Sequence, residues 1–283
     1  MHKEAGSLAT PPADAARVAS IRNSLDLKDR ASIDSFGERA RRDVSASIDR
    51  LISEVRTRDL IESEEILRNA VRLVETLDPA DLAPRGLFSS RSGRLNRFRR
   101  RFDDATQSLD EFADDLKERA DRLERKTVSL NTLHEQSRAF ILELDAYLDA
   151  GRARLAEAVE PRLQEGVARL EERLGELERV RFAAIQQLPL VRIVQNVDGP
   201  VSDAVAVTLC RLERWDTDWS DRLGMNLERR ARLRPDEVGL GQARAEFTGA
   251  LRRLTETLAE ARVRRAQVEE QMERISRGSR NKS

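Results

Sequence analysis

One cysteine, Cys210, and two histidines, His2 and His134, are all that this chain of 283 residues offers to thiol or imidazole chemistry. A lone cysteine closes no disulfide within the chain and forms no CxxC couple. Its neighbours Val205, Val207 and Leu209 are apolar, so the expected role of Cys210 is that of a small buried hydrophobe. His2 sits near the amino terminus and His134 beside a long apolar stripe, which leaves no histidine-based metal site and no Ser–His or Cys–His pair to assemble. A glycine-rich phosphate loop is missing as well: Gly239-Leu240-Gly241 reads as a turn flanking a helix, not as a nucleotide fingerprint. Carboxylates are plentiful, but at i,i+4 to arginine they belong to solvated helix faces before they belong to acid–base pairs. These absences point away from an enzyme, and no cofactor or metal is implied.

Aromatic residues make up only 4% of the chain, against 36% charged and 39% hydrophobic, a balance that suits long surface helices over a thin core. Thirteen glycines and eight prolines leave long tracts without punctuation. Basic and acidic residues balance at 51 each, so no overall field draws the protein to nucleic acid or to an anionic membrane. The start, MHKEAGSLATPPADAA, lacks the apolar core of a signal peptide, and no uncharged run reaches the length of a membrane span. A cytoplasmic location is expected.

What is present is helical periodicity. Residues 1–13 and 278–283 read as flexible tails around a single elongated helical domain, 14–277, with helices at about 34–56, 60–77, 94–158, 162–222 with kinks, and 240–276. Asp14 is an N-cap candidate for a short helix to Leu25 carrying Val18 and Ile21 on one face. In the next helix Ala40, Val44, Ile48, Leu51 and Val55 form one stripe; Leu60, Ile66, Leu67, Val71, Val74 and Leu77 form another, which ends at Asp78-Pro79. The longest tract follows one heptad register. Its a positions are Leu95, Phe102, Leu109, Leu116, Leu123, Leu130, Ser137 and Leu144, and its d positions are Phe98, Ala105, Phe112, Arg119, Lys126, Leu133, Phe140 and Tyr147. Such a repeat calls for a partner helix. After the Glu160-Pro161 break the stripe resumes as Leu163, Val167, Leu170, Leu174 and Leu177, then Leu190, Ile193, Val197, Val201, Val205, Leu212, Trp215 and Trp219. At 1.5 Å per residue both arms would reach roughly 90 to 95 Å. The fold class expected is therefore all-α, a long antiparallel coiled-coil hairpin with flanking helices, with homo-oligomerisation through the same stripe as the competitor. Pro189 and Gly199-Pro200 should kink or interrupt the return arm. Phe247, Leu251, Leu254, Leu258, Ala261, Met272 and Ile275 mark a last amphipathic helix.

Two segments depart from this background. RSGRLNRFRRR, Arg91 to Arg101, holds six arginines and no acid at the start of the long helix. Arg97, Arg99, Arg100 and Arg101 are candidate contacts for an anionic surface, or else pair with acids on neighbouring helices. RFAAIQQLPLVRIVQN, Arg181 to Asn196, gathers the amides Gln186, Gln187, Gln195 and Asn196 around Pro189 and Arg192 in a chain that otherwise uses charge for polarity. It is either an interhelical amide network at a proline kink or a contact for a partner or an anion at the Arg192 fork.

This second block, with SEVRTRDL (Ser53 to Leu60) and AYLDAGRARL (Ala146 to Leu155), resembles the TelA-like toxic anion resistance family over roughly Asp26 to Trp219. The family's blocks read like SQVRTKDLG and SIQTAPQIRLIQNN, so Arg56, Thr57, Asp59, Leu60, Ile185, Gln186, Pro189, Arg192, Gln195 and Asn196 match its motifs. Val197-Asp198-Gly199-Pro200 and Gln187-Leu188 depart from the pattern, and the carboxyl-terminal part looks abbreviated, as in a divergent or shortened member. The resemblance implies a bacterial protein of the toxic anion (tellurite) stress response that works beside tellurium-resistance or other stress proteins. Reduction of tellurite needs electrons through thiols, flavin or metal, and one cysteine without a cofactor motif does not supply them. The expectation is a non-enzymatic helical scaffold acting by protein–protein interaction. The alternative is a coiled coil held peripherally at the inner membrane, or on nucleic acid, by the arginine run, although the balanced net charge argues against nucleic acid.

Overall fold

The computed structural model describes residues 13–56, 58–83, 91–225 and 235–280, and the side chains of 58–63, 91, 279 and 280 stand outside that description. So do Thr57, residues 84–90 and 226–234, and residues 1–12 and 281–283 of the expected tails. The described residues form α-helices and two 3₁₀ turns: α1 Ala15–Ser24, α2 Arg30–Asp34, α3 Glu38–Val55, α4 Arg58–Thr76, α5 Arg91–Glu157, α6 Gln164–Arg222 and α7 Glu237–Arg280, with turns at Pro79–Leu82 and Pro161–Leu163. No strand occurs among them. The chain divides into two compact units: Met1–Arg56, Val128–Val194 and Gln267–Ser283 form the first, Thr57–Thr127 and Gln195–Ala266 the second.

In the first unit, α5 and α6 run antiparallel. Rising numbers on one meet falling numbers on the other: Asn131 faces Arg192, Asp145 faces Arg181, and Arg152 faces Glu178. Leu130, Ile141, Leu144 and Leu148 of α5 meet Leu170, Leu174, Leu177, Leu188, Val191 and Val194 of α6 in a core completed by α1 to α3 and by Val268 and Met272 of α7. Each buried leucine or isoleucine of this kind contributes about 1.5–3 kcal/mol. The Asp14 carboxylate caps α1 at the Ala16 amide, and α3 starts at Gly37, whose φ of 68° suits glycine. A Cβ at Gly37 would also stand 2.7 Å from Leu177 Cδ1, so the residue answers both a backbone and a packing demand. Ala40, Val44, Ile48, Leu51 and Val55 are buried as their spacing predicts.

The second unit repeats the antiparallel arrangement around aromatic rings. Phe102 and Trp219 stack at 5.7 Å, Trp215 and Trp219 lie 4.3 Å apart, and Trp215 meets Phe247 of α7 at 5.0 Å. The Trp215 indole donates to Thr106 Oγ1 at 3.2 Å. α7 runs antiparallel to α4, with Arg262, Arg252 and Arg244 set against Glu64, Glu75 and Asp78.

Between Leu116 and Leu130 no residue of α5 is buried. This is where the heptad places Arg119 and Lys126 in d positions; Arg119 turns to Asp115 at 2.7 Å instead of entering a core. Ser137, the polar a position, is buried with its hydroxyl against that of Ser47.

Three expectations need correction. Of the kink or interruption expected at Pro189 and Pro200, no interruption occurs: the return arm is helical from Gln164 to Arg222, and both rings face solvent, where water can serve the carbonyls they leave without an amide partner. Ile193 is exposed and Val194 takes its place in the core, one of two adjacent β-branched residues that spacing alone does not separate. Cys210 is exposed too. The buried line here is Val201, Val205, Thr208, Leu212 and Trp215, and Cys210 lies two residues from both Thr208 and Leu212, on the opposite face of the helix.

Candidate functional site

The block from Arg181 to Asn196 does not turn its amides inward as a group. Helix periodicity separates them: Ala183, Ala184, Gln187, Leu188, Val191 and Val194 enter the core, while Phe182, Gln186, Pro189, Arg192 and Ile193 of the first unit stand exposed. The exposed set carries one charge in a chain that is 36% charged, and it includes Phe182 at 63% exposure. Arg192 is engaged: Nη1 donates to Asn131 Oδ1 at 3.3 Å, and Nη2 lies 3.8 Å from Glu135. The fork is thus held toward α5 and does not reach out as an open anion clamp. Beside it His134 is buried next to Glu135, and burial holds its imidazole below the ordinary value despite the carboxylate.

Gln186 and Phe182 line a groove of about 650 Å³ in the first unit, together with Arg152, Arg179, Ala183 and Ile275. Arg181 there is paired with Asp145 and Arg152 with Glu178, so the cationic lining is largely answered by acids of the same unit. Arg56 closes α3 as its C-cap and lines a second groove of about 420 Å³ with Asp49, Ser53, Glu273 and Arg277. The two motif blocks thus come to two different faces of the last turns of α7, without merging into one pocket. Thr57 and the Asp59 side chain lie outside the described residues. In the second unit Gln195 is half-buried and Asn196 exposed.

The arginine run is partly engaged inside its own unit. Arg99 Nη2 donates to the carbonyls of Leu223 at 2.7 Å and Gly224 at 3.1 Å, answering acceptors that the end of α6 leaves open. Arg101 pairs with Asp81 at 2.9 Å and lies over the Phe98 ring. Arg97 and Arg100 are exposed. Of the four candidate anionic-surface contacts, two therefore act as internal fasteners.

Sequence reading missed the most deeply buried ion pair among the described residues, Asp198 with Arg265. The signal was available: Arg265 interrupts the apolar series Leu254, Leu258, Ala261, Val268, Met272, and Asp198 sits beside Val197 in the stripe of α6. Among the described residues no group of three or more His, Cys, Asp or Glu is placed to hold a metal ion, and no helix is long and apolar enough to cross a membrane.

Comparison with known proteins bears on the motif blocks. The family model described as "Toxic anion resistance protein (TelA)" matches residues 18–209, more than half of the chain. Uncharacterized protein YceH of Bacillus subtilis (strain 168) is 20% identical, over 68% of this chain and 61% of its own length. TelA-like protein SSP1345 of Staphylococcus saprophyticus is 20% identical over 77% and 66%, and Protein KlaB of Escherichia coli 24% identical over 64% and 55%. The chain thus spans about 55–66% of the length of these relatives. No solved structure matches it.

Proposed function

The chain belongs to the TelA family of toxic anion resistance proteins, and from that premise we propose that it serves toxic-anion tolerance as a non-enzymatic helical scaffold. It acts by docking other proteins of the stress response on the cytoplasmic side, and it does not transform the anion. The observation that carries this reading is the exposed, charge-poor face of α6 in the first unit, where Phe182, Gln186, Pro189 and Ile193 stand clear of the core. A solvated helix in a chain so rich in charge has no folding reason to carry an exposed phenylalanine and isoleucine beside amides. Neutral amides and apolar side chains with few charges are the composition of the central part of a protein interface. Chemistry adds to the argument, because reducing an oxyanion consumes several electrons and the sequence offers one thiol.

Complementation tests the reading. Cells that depend on this chain for tellurite tolerance should keep it with Cys210→Ser and lose most of it with Phe182→Ala, Gln186→Ala and Ile193→Ala combined. Loss of tolerance with Cys210→Ser, or full tolerance with the triple variant, contradicts docking through this face.

A further inference from the structure

The last turns of α7, from Gln267 onward, lie in the first unit between the grooves that the two motif blocks line, and among their described side chains Val268, Met272 and Ser276 are the buried ones. Val268 and Met272 are buried and Ile275 half-buried, an i, i+4, i+7 line that forms one apolar edge. Beneath this edge is Gln187, fully buried. Its Nε2 reaches the Met272 carbonyl only at 3.5 Å, and its Oε1 meets no partner at all. A buried amide left half-answered marks a seat that its occupant does not complete. Both flanks are open: Arg274, Ile275 and Gly278 border the 650 Å³ groove, while Glu273, Ser276 and Arg277 border the 420 Å³ groove. Arg56 and Glu269 stand 3.7 Å apart, near the limit of an ion pair, and Arg274 and Arg277 pair with Glu270 and Glu273 of the same segment. The part of α7 in the second unit is held otherwise, by Phe247, Leu251, Leu254, Leu258 and Ala261 in the core and by the buried Arg265–Asp198 pair.

We propose that residues 267–280 are a displaceable strap, and that the seat beneath them takes in its place an amphipathic helix from a partner protein. The partner helix presents apolar side chains at i, i+4 and i+7 and a hydrogen-bond donor that completes Gln187 Oε1. Release of the strap uncovers Ile52, Ala183 and Gln187 and joins to them Ser53, Arg56 and Gln186 at the groove edges, so that both motif blocks become available to one ligand. A helix is the occupant that fits, because the seat already accepts one of this pattern. The inference rests on the docking role proposed above, and it gives that role a regulated surface.

The test uses the full chain and, as a stand-in for the partner helix, a fluorescent peptide with the strap's own sequence, QVEEQMERISRGSR. Anisotropy should show weak binding to the wild-type chain, whose strap competes, and at least tenfold tighter binding to Met272→Ala, whose strap lets go more readily. A peptide with alanine at the positions of Val268 and Met272 should bind neither. Val268→Ala serves as a second released variant, and circular dichroism checks that each variant keeps its helix content. Equal affinity for wild-type and folded released variants, absence of binding to any of them, or a strap-exchanged dimer of this chain by light scattering would each overturn the proposal. The peptide assay needs no cellular partner, so its failure alongside recovery of partners from cells would remove the strap and leave the scaffold role standing.

Discussion

Arg265 of α7 donates two hydrogen bonds to the Asp198 carboxylate of α6, and the two side chains are 1% and 3% exposed. A charge pair so far from water is held by its geometry, because removing either member strands the other in the core. Arg265→Met alone should cost the second unit about 3–5 kcal/mol, while Asp198→Leu with Arg265→Met should restore stability to within about 1 kcal/mol of wild type or raise it. The reporter is built in: both tryptophans of the chain, Trp215 and Trp219, belong to the second unit, so urea denaturation followed by tryptophan fluorescence reads that unit. A double variant as unstable as the single one would show that the pair does more than answer itself.

The arginine run makes a sharper distinction than its composition suggests. Arg99→Ala should lower the same fluorescence-detected stability by about 1–3 kcal/mol, since it removes charge-assisted bonds to two carbonyls at the end of α6. Arg97→Ala and Arg100→Ala should stay within about 0.5 kcal/mol. Liposome flotation of the Arg97→Ala, Arg100→Ala double variant tests the membrane alternative separately, and unchanged flotation would remove it.

Two glycines of α6 should respond in opposite directions. A Cβ at Gly166 would stand 2.1 Å from the Leu27 carbonyl oxygen, so Gly166→Ala must push the α1–α2 connection away and should cost about 1–3 kcal/mol. Nothing lies within 4 Å of a Cβ at Gly175, and Gly175→Ala should stabilise by up to about 1 kcal/mol through helix propensity. Thermal melts by far-ultraviolet circular dichroism separate the two.

Acid should weaken the first unit in two stages. Burial holds the His134 imidazole below its ordinary value of 6.5, so its contribution is complete above that pH and fades as pH falls through 6.5 toward the folded value. Hydrogen bonds from Arg41, and then from Arg42 and Arg173, hold the Glu38 carboxyl well below the carboxylate range against the opposing effect of burial. Its contribution is complete above the unfolded value near 4.5 and is lost as pH falls toward the depressed folded value. The fluorescence of Tyr147, the one tyrosine, reports this unit. His134→Phe should flatten the stability profile below pH 6.5, and Glu38→Gln should flatten it below about pH 4.5.

The helices could be read from spacing because each needs one apolar line, and lines such as Ala40-Val44-Ile48-Leu51-Val55 have a single solution on a 3.6-residue helix. Arg119 and Lys126 already stood at the place where neither unit buries α5, although one continuous register concealed the division. Ile193 and Cys210 stand exposed where their spacing suggests burial, because both α6 faces carry apolar residues there and periodicity does not tell a core line from an exposed one without the opposing helix. The Asp198–Arg265 pair joins residues 67 positions apart in sequence, and Gln187 meets Met272 across 85. Local pattern holds no information on such pairings. Of the candidate site, the motif block could be found in the sequence; its outward face, and the strap beside it, required the packing of α7.

Docking of partners on the exposed face of α6, the role proposed above, is open to crosslinking in cells followed by affinity purification and mass spectrometry. Wild-type chain should yield a defined set of partners, enriched on tellurite challenge and crosslinked near Phe182 to Ile193, and the Phe182→Ala, Gln186→Ala, Ile193→Ala chain, folded by circular dichroism, should lose that set. Recovery of the same partners by the triple variant, or of none by the wild-type chain under challenge, would rule out docking through this face.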